Sequence, residues 1–198
     1  YHRFNPAEEI PLNFVLRGCY SSVARFKFPY RKTEHLLQRA ERTDAVIGGK
    51  TDRDLTVAWH GLLFNSFHDI LPGSSIERAF DEQIAWIGGC RQTAREVEFD
   101  ALNRLAAQID TRVATPKGDM PSGVALLVFN PHAHAYHGPI ELEASLDYRP
   151  IWKYHKNVDA LPLRVTGPDK RPVPFQQIET EHHAMVELAW RKRIVFEA

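Results

Sequence analysis

Apolar residues recur at helical spacing through about the first 115 positions of the chain, and at strand spacing from about position 120 onward. Leu36, Leu37 and Ala40 supply the apolar positions of a first helix over much of Pro29 to Val46, which Gly48-Gly49 ends. A second helix starts near Asp52 or Asp54, where aspartate suits an N-terminus. Turning successive residues by about 100° puts Leu55, Ala58, Trp59, Leu62, Leu63 and Ser66 on one side, and Phe67 and Ile70 extend that stripe. His68 falls on another side, with Gly61 and Phe64, and Gly61 leaves room for a foreign element to approach. The pattern therefore predicts that His68 faces away from the bundle core.

Pro72-Gly73 break this helix, and Ser74 or Ser75 can cap the next, with Glu77 and Arg78 in its first turn. Ile76, Phe80, Ile84, Ile87, Ala94, Ala101, Leu102, Leu105 and Ile109 form one stripe over a very long helix. At 1.5 Å per residue it reaches roughly 50 Å, and Gly88-Gly89 could kink it. Trp59, Phe64, Phe67, Phe80 and Trp86 are core candidates. Three antiparallel helices in an up-down bundle bury three such faces most simply.

Thr115 to Gly123 is rich in proline, glycine and polar residues and reads as a linker. Runs of β character follow at Val124–Asn130, Pro139–Leu146, Leu161–Thr166, Val173–Thr180 and Arg191–Glu197, punctuated by Asn130-Pro131, Gly167-Pro168 and Pro172. The expected fold class is α+β: a three-helix up-down bundle over residues 1–115 with an N-terminal connector, a linker at 116–123, and antiparallel strands of an incomplete β-sandwich over 124–198. Tyr1 to Phe14, with two prolines and no clear period, reads as a connector from an upstream domain, and the chain as a fragment of a larger protein.

Composition narrows the function classes. The 198 residues are 43% hydrophobic and 25% charged, as in an ordinary soluble globular protein. Twenty-five basic and 25 acidic residues cancel, so no field gathers nucleic acid or anionic lipid, and a neutral partner such as a sugar is expected. Cys19 and Cys90 lack metal-type spacing, and a reduced, cytoplasmic setting is the default. No run approaches the roughly 20 apolar residues of a membrane span, and no secretory signal opens the chain.

Candidate chemistry concentrates at His68-Asp69-Ile70-Leu71-Pro72-Gly73, followed by Ser74 and Ser75. A neutral imidazole is a good zinc ligand, and the adjacent carboxylate can bind a metal or a pair of sugar hydroxyls. The competing reading of His68 is a histidine that favours a helix C-terminal dipole and ligates nothing; that of Asp69 is a solvated or capping carboxylate. His132, His134 and His137 also suggest a metal, but no cysteine or carboxylate is placed to complete a shell, and a surface loop is expected. His182-His183 reads as exposed.

The segment Leu62 to Ser75, "LLFNSFHDILPGSS", resembles the helix-end motif of the family 38 glycoside hydrolases, the retaining α-mannosidases. Arg17-Gly18-Cys19-Tyr20-Ser21-Ser22 followed by Arg31, Glu34, Leu37, Ala40 and Glu41 is similar to that family's entry into its helical domain. Val128-Phe129-Asn130-Pro131, Val173-Pro174-Phe175-Gln176 and Arg191 to Phe196 are similar to strands of its β region, in the same order. "FHDILPGS" is closer to the bacterial and vacuolar branch than to the "HHDAITGT" of the Golgi and lysosomal branch, with Phe67 in place of the first histidine. The resemblance implies that His68 is one zinc ligand, joined by a histidine and two aspartates from an N-terminal α/β domain, and that Asp69 hydrogen-bonds mannose hydroxyls. It implies a retaining reaction with an aspartate nucleophile and a separate acid, neither with a counterpart in residues 1–198. Arg17 and Tyr20 could contact that α/β domain or simply start the first helix. Possible self-association, and the alternatives of a non-catalytic helical interaction or oligomerisation module or of a carbohydrate-binding β-sandwich with a helical arm, stay open on the residues alone.

Overall fold

The computed structural model describes residues 18–19, 21–51, 53–114, 123–145, 160, 162–181 and 191–197. Arg17, Tyr20, Trp152, His182-His183, the connector at Tyr1 to Phe14 and most of the linker lie outside them. The chain divides into two compact units, residues 1–108 and 109–198.

Among the described residues, the first unit holds three helices: α1, Ala24–Ile47; α2, Leu55–Phe64; and α3, Glu77–Ala106. Side-chain pairs fix their directions. Phe26 meets Phe80, Arg39 meets Glu98, and Asp44 meets Arg104, so α1 and α3 run parallel. Arg53 ahead of α2 pairs with Glu96, while Phe64 at its end packs against Trp86, so α2 runs against α3. Trp59 donates to Glu41, which sets α2 against α1 as well. The result is the up-down-up bundle expected from the pattern.

Its core is Phe26, Leu36, Leu37, Ala40, Ala58, Leu62, Ile70, Ile87, Cys90, Ala94 and Val97. Burying each of Phe26, Leu37, Leu62, Ile87 and Val97 contributes about 1.5–3 kcal/mol. Helix α1 starts earlier than Pro29 because Phe26 is fully buried against Tyr30 and Phe80, which outweighs the amide hydrogen bond Pro29 cannot make. Gly48 in the left-handed region closes α1, and Asp54 caps α2 by accepting from the Thr56 amide.

Several expectations are corrected. Gly61 receives α3, not a foreign element: a Cβ there would stand 2.6 Å from Cys90 Sγ and 3.0 Å from Trp86 Nε1. Neither Ser74 nor Ser75 caps α3; Ile76 holds the cap position without a side-chain bond. Ile76 and Ile109 are exposed, and the α3 seam runs through Gln83, Ile87, Cys90, Ala94, Val97 and Ala101. Phe64, Phe67 and Trp86 lie largely on the surface, not in the core. Helix α3 runs unbroken through Gly88-Gly89.

The second unit carries β1, Pro139–Ser145; β2, Val165–Thr166; β3, Pro172–Val173; β4, Phe175–Glu181; and β5, Arg191–Glu197. Strand β5 lies between β1 and β4, antiparallel to both, and β2 pairs with β3 in a separate two-stranded sheet. Ile140, Leu142 and Ala144 share the partly buried face of β1 opposite Phe196, Ile194 and Lys192. The α+β class holds. Val124–Asn130 forms no strand, and its valines and leucines are exposed, because no neighbour among the described residues offers it a ladder. Of the run at Leu161–Thr166, the described residues 162–166 are strand only at Val165–Thr166.

Candidate metal and sugar site

The site begins with the way α2 stops. Asn65 accepts helical geometry but turns its side-chain amide back onto the Gly61 carbonyl, at 2.7 Å, and Ser66 Oγ donates to the Leu63 carbonyl, at 2.6 Å. Short polar side chains that bond the preceding turn compete with helix continuation. The amides of Ser66, Phe67 and Ile70 then donate three residues back, so the chain tightens into successive turns over residues 65–73. His68 is therefore not on a helix face, as its spacing suggested, but on this turn.

Two anchors hold the turn. Asn65 is fully buried at its start, and Ile70 sits in the core near its end. His68 and Asp69 bulge outward between them. The His68 side chain is 78% exposed and the Asp69 side chain 51% exposed, with Nε2 and Oδ2 3.6 Å apart. The Phe67 ring lies against the imidazole, centroids 4.2 Å apart. Ser74 Oγ donates to the other carboxylate oxygen, Asp69 Oδ1, at 3.1 Å. The outward direction predicted for His68 holds, although the geometric reason is a turn.

The helix directions place this turn at the end of the bundle where α1 and α3 begin. Ser22 Oγ, just ahead of α1, donates to the Pro72 carbonyl at 2.5 Å. The exposed rings of Phe64 and Trp86, 5.1 Å apart, sit on the flank where α2 ends. An exposed imidazole and an exposed carboxylate, one of whose oxygens is tied back, can each serve a ligand approaching from outside the bundle. They make a contributing edge and not an enclosed site: among the described residues, no group of three or more His, Cys, Asp or Glu could hold a metal ion.

His132 and His134 come together elsewhere, rings stacked with centroids 5.1 Å apart, in an exposed bend where Asn130 bonds the His132 amide and the His134 carbonyl. His137 is exposed too. Sequence reasoning missed Ser74 and Ser22. Ser74 belongs to the motif but has the pattern of a helix cap; Ser22 lies 50 residues from Pro72, a separation that leaves no local signal. No helix among the described residues is long and apolar enough to cross a membrane.

Comparison with known proteins gives three findings. Residues 15–105 match the family model described as the alpha mannosidase middle domain. No curated protein matches the sequence. Among solved structures, the crystal structure of an alpha-mannosidase from Enterococcus faecalis V583 aligns over 92% of this chain and 22% of its own, with a TM-score of 0.60 at 17% identity. That likeness is one of fold, and the chain spans less than a quarter of that protein's length.

Proposed function

We propose, on the premise that residues 15–105 are an alpha mannosidase middle domain, that this chain is part of a zinc-dependent, retaining α-mannosidase of glycoside hydrolase family 38. In it the chain supplies one metal ligand and one sugar-binding carboxylate. The observation that carries the reading is the outward bulge of His68 and Asp69 between two buried anchors.

The residues present fit a zinc ion as a partial donor set. An exposed imidazole and a neighbouring carboxylate suit that metal, and further donors must come from outside the described residues. His68 would hold the ion; Asp69, tied by Ser74, would accept hydrogen bonds from hydroxyls of a terminal α-mannoside. When bound, zinc acts as a Lewis acid and a template for neighbouring sugar hydroxyls. The tie from Ser74 matters to binding, because a carboxylate with one oxygen already engaged presents the other in a narrower range of directions. The nucleophile and the general acid are assigned to a partner α/β domain, and this chain alone is inactive, since one imidazole cannot form a zinc site.

The test is His68→Ala in the full-length enzyme. Loss of most zinc and of aryl α-mannoside hydrolysis is expected, with helical circular dichroism retained. Unchanged hydrolysis would defeat the ligand assignment. The second reading, a non-catalytic interaction or oligomerisation module, draws on the exposed Leu63, Phe64, Phe67 and Trp86 around the same turn. It expects His68→Ala to leave both zinc content and glycosidase activity untouched.

A further inference from the structure

We infer that the segment Ser21–Val23, ahead of α1, is a clamp that sets the position of the His68–Asp69 turn, with Ser22 as its positioning residue; this rests on the mannosidase reading above.

Pro72, Gly73 and Lys27 converge on it. Ser22 Oγ donates to the Pro72 carbonyl at 2.5 Å and also lies within reach of the Cys19 carbonyl, at 3.0 Å. Gly73, at φ +87°, brings its backbone so close that a Cβ would stand 2.7 Å and 2.8 Å from the two Val23 methyls and 3.3 Å from Ser22 Oγ. Lys27, one turn into α1, braces the clamp from behind: its ammonium donates to the Ser22 carbonyl at 2.9 Å, to Ser22 Oγ at 3.2 Å, and to the Cys19 carbonyl. Val23 itself sits at φ 44°, ψ 47°, a left-handed conformation that a β-branched residue keeps only where its surroundings hold it there.

Pro72 and Gly73 come after Ile70 and Leu71, on the exit of the bulge that carries His68 and Asp69. The bulge is pinned at its start by buried Asn65, and at its end by Ile70 in the core and Ser22 on the Pro72 carbonyl. Without the Ser22 bond, the exit loses its one side-chain tie to the segment ahead of α1 and keeps only Ile70 in the core and the packing of Gly73 on Val23, so the two functional side chains gain freedom. A misplacement of about 1 Å in such a group can cost on the order of 100-fold in rate, and loss of a supporting hydrogen bond to a metal site typically costs about 10–100-fold in affinity or activity.

The experiment compares Ser22→Ala, Ser22→Thr and Lys27→Met with the wild type in the full-length enzyme. It reads chelator-driven zinc release, kcat and KM for an aryl α-mannoside, and amide hydrogen exchange. Ser22→Ala is expected to speed zinc release and lower kcat/KM by about 10-fold or more. Exchange should rise at residues 68–74 while α3 core amides stay protected. Ser22→Thr, which keeps the hydroxyl, is expected to restore most of both losses. A merely structural role would lower the melting temperature without moving zinc release or kcat/KM well below it. Should Ser22→Ala not fold, Lys27→Met decides on the same readouts, since it keeps the Ser22 hydroxyl and removes only the brace. Wild-type zinc release and kcat/KM in Ser22→Ala, or in Lys27→Met where that variant decides, overturns the clamp; so does a Ser22→Thr that behaves like Ser22→Ala. If His68→Ala is also silent, it is the mannosidase reading that fails; if His68→Ala is inactive, only the clamp does.

Discussion

Gly61 faces Cys90 so closely that a methyl group on its α-carbon would lie 2.6 Å from the sulfur. Overpacking a filled seam costs about 1–3 kcal/mol, and the higher helix propensity of alanine returns up to about 1 kcal/mol. Gly61→Ala is therefore expected to destabilise the protein by up to about 2 kcal/mol in urea unfolding. The penalty should shrink in a Cys90→Ala background, because the obstructing sulfur is gone. A double-mutant cycle with no coupling between the two positions would contradict the contact.

Asp69→Asn separates sugar binding from metal binding. The amide keeps the shape of the side chain and a bond with Ser74, but it is a weaker acceptor than a carboxylate for mannose hydroxyls. Turnover and substrate affinity should fall while zinc content stays at the wild-type level. Complete zinc loss would overturn this division of roles.

Arg104 reaches across the α1–α3 seam to Asp44, 2.5 Å away, and both side chains are largely shielded. Arg78 and Glu82 also pair, at 3.0 Å, but in open solvent. Charge-assisted bonds shielded from water are worth about 1.5–3 kcal/mol, exposed helical pairs about 0.3–0.5 kcal/mol. Asp44→Ala should lower the urea midpoint clearly and Glu82→Ala hardly at all, and equal effects would show that shielding is not the deciding variable.

Burial pushes the Cys90 thiol above its ordinary range, whereas Cys19 is only partly covered. A thiol reagent under native conditions should label Cys19 first and Cys90 only through unfolding. Because the folded state holds the Cys90 proton more tightly, its contribution to stability is complete below the ordinary thiol pKa. It declines as pH rises toward the raised value. An alkaline fall in unfolding midpoint that is smaller in Cys90→Ala is the expected result.

Much of this architecture can be read from local chemistry. Gly48 and Asp54 mark helix ends through interactions with residues within a turn of them, and the run Arg191–Glu197 is strand over its whole length. What escaped reading depends on neighbours far along the chain. The wheel that set His68 with Gly61 assumes a helix continuing past Phe64, but Asn65 and Ser66 bond backward and end it. Composition alone does not reveal whether the room beside Gly61 is filled by Cys90 or by a visitor. The aromatic residues Phe64 and Trp86 look like core by type, yet they pair with each other on the surface. For the candidate site, the outward direction of His68 was legible, while its supports, Ser22 and Ser74, became visible only with the fold.

Strand β5 sits between β1 and β4 although it follows both in chain order. During synthesis, therefore, the two outer strands leave the ribosome before the strand that joins them exists, and β1 must wait until the chain has grown from Ser145 to its register partner Arg191. The helical unit, complete at Gln108, can consolidate in that interval. Translation speed through this stretch, or a chaperone that shields β1, would govern the yield of the sheet without touching the yield of the bundle.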